Sequence, residues 1–142
     1  MDQNAQMLRS IYKSAELGRD ILGRLIRLCN DLEFRKIMAE LFAEYHRILT
    51  ECERLMFNNG LVPREAGQLE RLPVYSSLSI NVIIDKTSSH LSEMLMQGSL
   101  MSYIDIARDM RSCPEAFEET KNLAWRLMAT EENNMQRLKQ YI

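Results

Sequence analysis

The sequence predicts an all-α protein that folds as a single four-helix bundle domain over residues 1–142. Three observations lead to this prediction. Apolar residues recur every three or four positions along four long segments, which is the spacing of one buried helix face. Only five glycines and three prolines interrupt the chain, and four of these eight residues fall in one stretch between the second and third segments. The length suits one domain built around one core.

The first two helices are predicted over residues 5–29 and 31–59. The second has the clearest periodicity, with its inward positions at Phe34, Met38, Leu41, Tyr45, Ile48, Cys52 and Leu55. A capping signal around Asp31 marks its start, and Gly60 suits the left-handed residue that ends a helix. Because hardly a residue separates the two helices, they should form an antiparallel hairpin.

The fourth helix is predicted over residues 114–142, since Pro114 is typical of a first helical position and Glu115 places an acid in the first turn. The third helix then ends near Ser112 and begins between residues 79 and 86. A connection over about 60–78 joins helices two and three. At about 3.3 Å per extended residue it can run the length of the bundle. Helices two and three should therefore be parallel, with one crossover connection.

The apolar face of the third helix changes direction near Gly98. In an unbroken helix, the second half of this segment would point Ser102, Asp105 and Asp109 at the core. A π-bulge at Gly98-Ser99 would shift the phase by about 100° and remove most of the conflict. The alternative is a straight helix whose second apolar face packs on another subunit. The sequence leaves both solutions open.

Glu131 lies in the middle of the apolar stripe of the fourth helix, with Asn134 at its margin. A carboxylate at a core position is costly unless it has a partner. Heights along the bundle place Arg19 of the first helix and Tyr45 of the second near Glu131. We therefore expect a buried polar layer of Glu131, Arg19, Tyr45 and Asn134, which could hold the helices in register.

Two stretches of the sequence carry a family resemblance. Residues 123–138, LAWRLMATEENNMQRL, resemble the last helix of ferritin-like four-helix proteins, with Asn134 where such proteins carry histidine. Residues 88–99, SSHLSEMLMQGS, are similar to a stretch in small uncharacterised helical proteins of Gram-positive bacteria. The resemblance implies a hairpin, a crossover and a second hairpin over the whole chain.

The dimetal ligand set of ferritin-like proteins is incomplete in this chain. Such a site needs an inward carboxylate on each helix and Glu-x-x-His on two of them, whereas only Glu131 points inward and Asn134 follows it. We therefore predict no metal and no cofactor. The weak candidates for a metal ligand are Glu131 itself and the pair His90 and Glu93, which are three residues apart.

The three cysteines are neither even in number nor clustered, so a disulfide framework or a zinc site is not indicated. We expect a reduced, cytoplasmic protein. Cys113 is a weak candidate for a reactive thiol, because it precedes the predicted start of the fourth helix, where the helix dipole lowers a thiol pKa.

The chain carries a net charge of −2, which argues against nucleic acid and anionic membranes as partners. No apolar run approaches the ~20 residues of a membrane-spanning helix, and the N-terminus lacks the pattern of a secretory signal. No phosphate loop or catalytic triad pattern is present. We expect a non-catalytic bundle that acts through protein interactions; the alternative is a degenerate metal-binding or oxidant-handling protein.

A homodimer is also expected. Trp125 lies outside the apolar stripe of the fourth helix, and in a straight third helix Leu100, Tyr103 and Ile104 face outward. The crossover also carries more apolar residues than a solvated loop needs. Contiguous apolar patches are uncommon on monomers, and a twofold dimer is the commonest way to cover one. The predicted interface includes the crossover or the second half of the third helix.

Overall fold

A computed structural model describes residues 2–63 and 85–142. Within these ranges the chain forms four long helices: α1 over Gln3–Leu28, α2 over Leu32–Asn58, α3 over Ser88–Ser112 and α4 over Glu118–Leu138. A short 3₁₀ turn, Lys139–Tyr141, follows α4. The predicted all-α four-helix bundle is confirmed. The predicted crossover, about 60–78, lies mostly outside the described residues.

The two ends of α2 are determined by capping residues that can be recognised in the sequence. The Asp31 carboxylate accepts the backbone N–H groups of Glu33 at 3.0 Å and Phe34 at 3.3 Å, so it caps the helix N-terminus. Gly60 has a φ of 70°, the left-handed conformation that ends a helix at little cost in glycine. The predicted boundaries of this helix therefore agree with the structure to within one residue.

The fourth helix begins at Glu118, so the predicted start at Pro114 is wrong. Side chains from the start of α1 explain the difference. Asn4 Oδ1 accepts the backbone N–H of Phe117 at 2.9 Å, and Gln3 accepts another backbone N–H two residues earlier. These contacts satisfy donors just before the helix, and they hold residues 114–117 as a turn against the start of α1.

Contacts between helix ends define the direction of the helices. The Ser88 hydroxyl at the start of α3 donates to the Asp31 carboxylate at the start of α2 at 2.9 Å, so α2 and α3 run in parallel. The contact between Asn4 and Phe117 places the starts of α1 and α4 at one end. Both hairpins are therefore antiparallel, which is the direction expected for a bundle with one crossover and is compatible with a ferritin-like arrangement.

The apolar core lies mainly between α1, α2 and α4. Its largest fully buried side chains come mostly from the first two helices: Met7, Leu8, Ile11, Leu22, Leu25, Phe34, Met38, Ile48, Leu49 and Met56. Burying one such side chain stabilises the fold by about 1.5–3 kcal/mol. Ion pairs of Glu44 with Arg126, at 3.1 Å, and of Glu40 with Arg137 join the outer surfaces of α2 and α4.

Helix α3 is a regular α-helix from end to end, so the π-bulge considered at Gly98-Ser99 does not form. The straight helix turns Ser99 toward the interior and leaves Leu100 and Ile104 exposed, 49% and 44% respectively. The contact of α3 with α1 is less extensive than the contact of α2 with α1. The space left between α1 and α3 is the setting of the candidate site.

None of the described helices is long and apolar enough to cross a membrane.

Candidate functional site

A cavity of about 310 Å³ lies between α1 and α3. Its floor is formed by Tyr45 of α2 together with Glu131 and Asn134 of α4. Its walls combine leucine and isoleucine side chains with serine hydroxyls: Ser10, Ser14, Leu17, Ile21, Leu22, Leu41, Leu95, Ser99, Ser102 and Leu138. Lys13 and Asp105 line the same cavity and are exposed, so they mark its mouth.

Three of the four residues predicted for a buried polar layer meet at the floor of this cavity. The Tyr45 hydroxyl donates to Glu131 Oε1, and Asn134 Nδ2 donates to the Tyr45 oxygen at 3.2 Å. Glu131 is only 1% exposed, and Asn134 and Tyr45 are buried as well. We call Tyr45, Glu131 and Asn134 the Glu131 cluster.

Arg19, the fourth predicted member, does not join the cluster. Its Nε donates to Asp20 Oδ1 at 3.1 Å, and its side chain is partly exposed. The reason is that α1 turns Gly18 toward Tyr45, and the next residue on a helix points about 100° away. Among the described residues, no lysine, arginine or histidine pairs with Glu131.

Gly18 brings the backbone of α1 against the Tyr45 ring. A Cβ atom at this position would lie 2.7 Å from Tyr45 Cζ, closer than side chains pack. Glycine in a helix interior costs about 1 kcal/mol relative to alanine, so its presence in α1 was a signal for a close approach. The predicted polar layer included the neighbouring Arg19 and not Gly18, although Gly18 carried this signal.

The electrostatic state of Glu131 follows from its burial. Loss of solvation raises the pKa of Glu131 to about 7, while hydrogen bonding by Ser102, Tyr45, Ser99 and Asn134 lowers it in part. Burial, followed by the negative charge of Glu131, raises the pKa of Tyr45 well above its ordinary value. The tyrosine therefore stays a neutral donor, and the carboxyl changes its ionisation near neutral pH.

Two serines of α3 complete the surroundings of the cluster. Ser99 is 5% exposed, and its hydroxyl contributes to the hydrogen bonding around Glu131 and Tyr45. Ser102 faces Glu131, but its buried Oγ makes no well-directed hydrogen bond within the part of the chain that the structure describes. The broken apolar pattern of the third helix was the sequence signal for these positions.

The weak candidates for a metal ligand lie apart from each other. His90 and Glu93 lie in the first turns of α3 and are half-exposed and exposed, whereas Glu131 is in the interior. Across residues 2–63 and 85–142, no three histidine, cysteine, aspartate or glutamate side chains come close enough together to hold a metal ion.

Cys113 does not occupy the position that its predicted reactivity requires. It caps the C-terminus of α3 and is buried, because α4 begins only at Glu118. Burial, together with the nearby charge of Asp109, raises the pKa of the Cys113 thiol. This shift is opposite to the one that a helix N-terminus would produce.

No protein-family model, curated protein or solved structure matches this chain. The chemistry of the site is therefore argued from its own residues: a half-open cavity, apolar walls, and one buried carboxyl that is hydrogen-bonded to a tyrosine and lacks a cationic partner among the described residues.

Proposed function

We propose that this protein is a non-catalytic binding bundle that holds a small molecule in the cavity between α1 and α3. The observation that carries the proposal is the cavity of about 310 Å³ that ends on the Glu131 cluster. Ligand pockets in proteins are commonly about 300–1,000 Å³, mostly apolar, with a few convergent polar groups that orient the ligand. The leucine-rich walls and the single carboxyl at the floor fit that description.

The same geometry favours binding over catalysis. The carboxyl of Glu131 accepts a hydrogen bond from Tyr45, whose raised pKa keeps its hydroxyl neutral. General acid–base catalysis usually pairs groups whose pKa values are separated around the working pH. Of the residues at the floor of the cavity, Glu131 titrates near neutral pH, whereas Tyr45 stays neutral and cannot act as its acid–base partner.

Cavity filling tests the binding function. Replacement of Ser102 by leucine should fill part of the cavity, whereas Ser89→Leu changes an exposed position on the same helix. In ligand-observed NMR with fragments of about ten non-hydrogen atoms, we expect wild type and Ser89→Leu to bind a common set of fragments and Ser102→Leu to lose it. A wild type that binds no fragment, or a Ser102→Leu variant that keeps them all, contradicts the proposal.

We also infer that the bundle is a ferritin-like fold in which the dimetal site is lost. The parallel directions of α2 and α3 support this inference. The prediction that only Glu131 points inward is wrong, because Glu16 of α1 is buried too, but two buried glutamates among the described residues are still fewer than the four that a dimetal site needs. The alternative is a degenerate metal-binding or oxidant-handling protein. Elemental analysis of purified protein separates the two. We expect less than about one-tenth of an equivalent of iron, manganese or zinc, and stoichiometric metal bound through Glu131 supports the alternative.

Interaction with a second protein is the other candidate function, and a homodimer is its simplest form. Leu100 and Ile104 lie one turn apart on α3 and are about half exposed, as is Trp125 on α4. Sedimentation at micromolar concentration should give a dimer, and Ile104→Glu should shift it to the 16.6 kDa monomer. A monomeric wild type contradicts the dimer.

The cytoplasmic location proposed from the three cysteines agrees with their buried, unpaired state.

A further inference from the structure

We propose that the ligand of the cavity is a small organic cation, a primary amine with an apolar body, whose ammonium group binds Glu131. This inference rests on the proposed binding function and names the chemical class of the ligand. It stands on three features of the cavity: the charges that line it, the hydrogen-bond acceptors at its floor, and its size.

The charges along the cavity favour a cation. Three acidic side chains line it, Glu131 at the floor and Asp105 and Asp109 on α3, against one basic side chain, Lys13 at the mouth. Asp105 is exposed and forms an ion pair with Arg108 at 3.6 Å, so the acidic character of the cavity comes mainly from Glu131 and Asp109. A cleft lined by one sign of charge concentrates ligands of the opposite sign and repels those of its own.

The acceptors at the floor match the donors of an ammonium group. Tyr45 donates to Glu131 Oε1, and the two oxygens of a carboxylate together offer about four acceptor positions, so the carboxyl can accept more than the tyrosine supplies. The Ser102 hydroxyl oxygen is buried without a partner of good geometry among the described residues, and the Ser99 hydroxyl lies beside it on the cavity wall. A primary ammonium carries three N–H donors, which the carboxylate and the two hydroxyls can accept.

A cation also offsets the cost of the buried carboxylate. An ionised carboxyl in an apolar site is unfavourable without a partner, and burial accordingly raises the pKa of Glu131 to about 7. A charge-assisted N–H···O bond from an ammonium group would favour the ionised form. The titratable and charged side chains that line the cavity together with Glu131 are Lys13, Tyr45, Asp105 and Asp109.

The size of the cavity limits the apolar body. About 310 Å³ corresponds to about ten non-hydrogen atoms if each takes the ~30 Å³ that a water molecule occupies in the liquid. The leucine and isoleucine side chains of the walls are suited to an alkyl chain or a single aromatic ring. Hexylamine is a suitable probe, because 1-hexanol and hexanoate have the same alkyl length with a neutral and a negative head.

Calorimetric titration of the full chain with these three probes at pH 8 tests the class of ligand. Hexylamine should bind at least about tenfold more tightly than 1-hexanol, and hexanoate should not bind measurably. Glu131→Gln preserves size and hydrogen bonding but removes the charge. This substitution should weaken the binding of hexylamine at least about tenfold and leave the affinity for 1-hexanol unchanged. Glu93→Gln makes the same change at an exposed position of α3 that does not line the cavity, so it is the matched control for general acidity, with an expected loss below about threefold.

The outcomes separate the two proposals. If hexanol or hexanoate binds as tightly as the amine, the binding function stands and the cation inference is overturned. Unchanged amine affinity in Glu131→Gln also overturns the inference. If none of the probes binds and the fragment screen is also empty, the binding function itself fails.

A measurement on the wild type alone is independent of whether Glu131→Gln folds. At pH 6, hexylamine binding should release protons, because Glu131 must ionise to meet the ammonium group, whereas hexanol binding should release none. Calorimetry in buffers of different ionisation enthalpy counts the protons. Amine binding without proton release would overturn the inference.

Discussion

Helices α2 and α3 run in the same direction and pack against the same two helices, yet their inward faces differ. The buried positions of α2 are apolar apart from the Tyr45 hydroxyl: Phe34, Met38, Leu41, Tyr45, Ile48, Leu49, Cys52, Leu55 and Met56. The buried positions of α3 alternate between apolar side chains and serines: Leu91, Ser92, Met94, Ser99 and Ile106. Large side chains fill the space beside α2, whereas small ones leave a cavity beside α3.

This difference assigns separate roles to the two sides of the bundle. Protein interiors are close-packed, and a missing methyl group is already costly. A cavity with serine walls and a buried carboxyl is therefore unlike a core that is optimised for stability alone. The α2 side stabilises the fold, and the α3 side carries the site that we propose for a ligand. Four predictions test this division, beginning with the largest expected effect.

The first prediction compares two leucines of α2. Leu49 is 1% exposed and lies away from the cavity, while Leu41 is 2% exposed and lines it. Leu49→Ala should lower the free energy of unfolding by about 3–5 kcal/mol. Leu41→Ala should cost at least about 1 kcal/mol less, because its side chain lacks neighbouring atoms on the cavity side. Chemical denaturation measures both. Equal losses would mean that the cavity side is packed as tightly as the core.

The second prediction uses the pH dependence of stability. In the folded chain the pKa of Glu131 is about 7, whereas in the unfolded chain the carboxyl releases its proton near the ordinary glutamate pKa of 4.5. Within this window the folded state binds more protons, so stability falls as the pH rises. The loss attributable to Glu131 should be roughly 3 kcal/mol between pH 4 and pH 8.

Glu131→Gln provides the control for this pH effect. The amide cannot ionise but can still accept the Tyr45 hydroxyl, so the variant should match wild type near pH 4 and exceed its stability near pH 8. Urea denaturation at both pH values gives the comparison. If the two chains respond to pH identically, the carboxyl is solvated and the floor of the cavity is not as the structure describes it.

The third prediction compares two glycines of α1. A methyl group at Gly18 would collide with the Tyr45 ring, whereas at Gly23 the nearest side-chain atom, on Phe42, would be 3.4 Å away, an acceptable contact. Gly18→Ala should destabilise by about 1–3 kcal/mol through overpacking. Gly23→Ala should be neutral or stabilise by up to about 1 kcal/mol through helix propensity. Thermal unfolding of both variants decides, and a stabilising Gly18→Ala would contradict the close approach of α1 to Tyr45.

The smallest expected effects distinguish two serines of α3. The Ser92 hydroxyl donates to the Leu138 carbonyl, so Ser92→Ala should cost about 1 kcal/mol. The Ser102 hydroxyl lies near the Glu131 carboxyl but makes no well-directed hydrogen bond among the described residues, so Ser102→Ala should change stability by less than about 0.5 kcal/mol. A large loss of stability in Ser102→Ala would show that this hydroxyl stabilises the fold, which would contradict its proposed role as a hydrogen-bond partner for a ligand.

Particular residues show how far the sequence could lead. The regular spacing of α2 and its capping residue Asp31 predicted that helix nearly to the residue, because both signals are local. Glu131 and Tyr45 were placed at one height by helix lengths alone. The start of α4 was misplaced because Gln3, distant in sequence, holds the backbone beyond Pro114 in a turn.

The third helix was the hardest to interpret, for a physical reason. Apolar periodicity identifies the buried face of a helix only where that face meets apolar neighbours. The middle of α3 faces a cavity, so Ser99 and Ser102 point inward while Leu100 and Ile104 remain outside. The break in the apolar pattern of this helix had indicated a bulge or an interface. The inward-pointing serines are explained instead by the polar cavity that they line.

The ionisation of Glu131, followed by carbon-13 NMR with and without hexylamine, tests the central claim most directly. In the free protein the side-chain carboxyl should titrate with a midpoint near its raised pKa of about 7. With saturating amine the midpoint should fall by at least about one unit, since a cation favours the carboxylate. A midpoint near 4.5 in the free protein, or one that bound amine leaves unchanged, would contradict a buried carboxyl that receives a ligand's ammonium group.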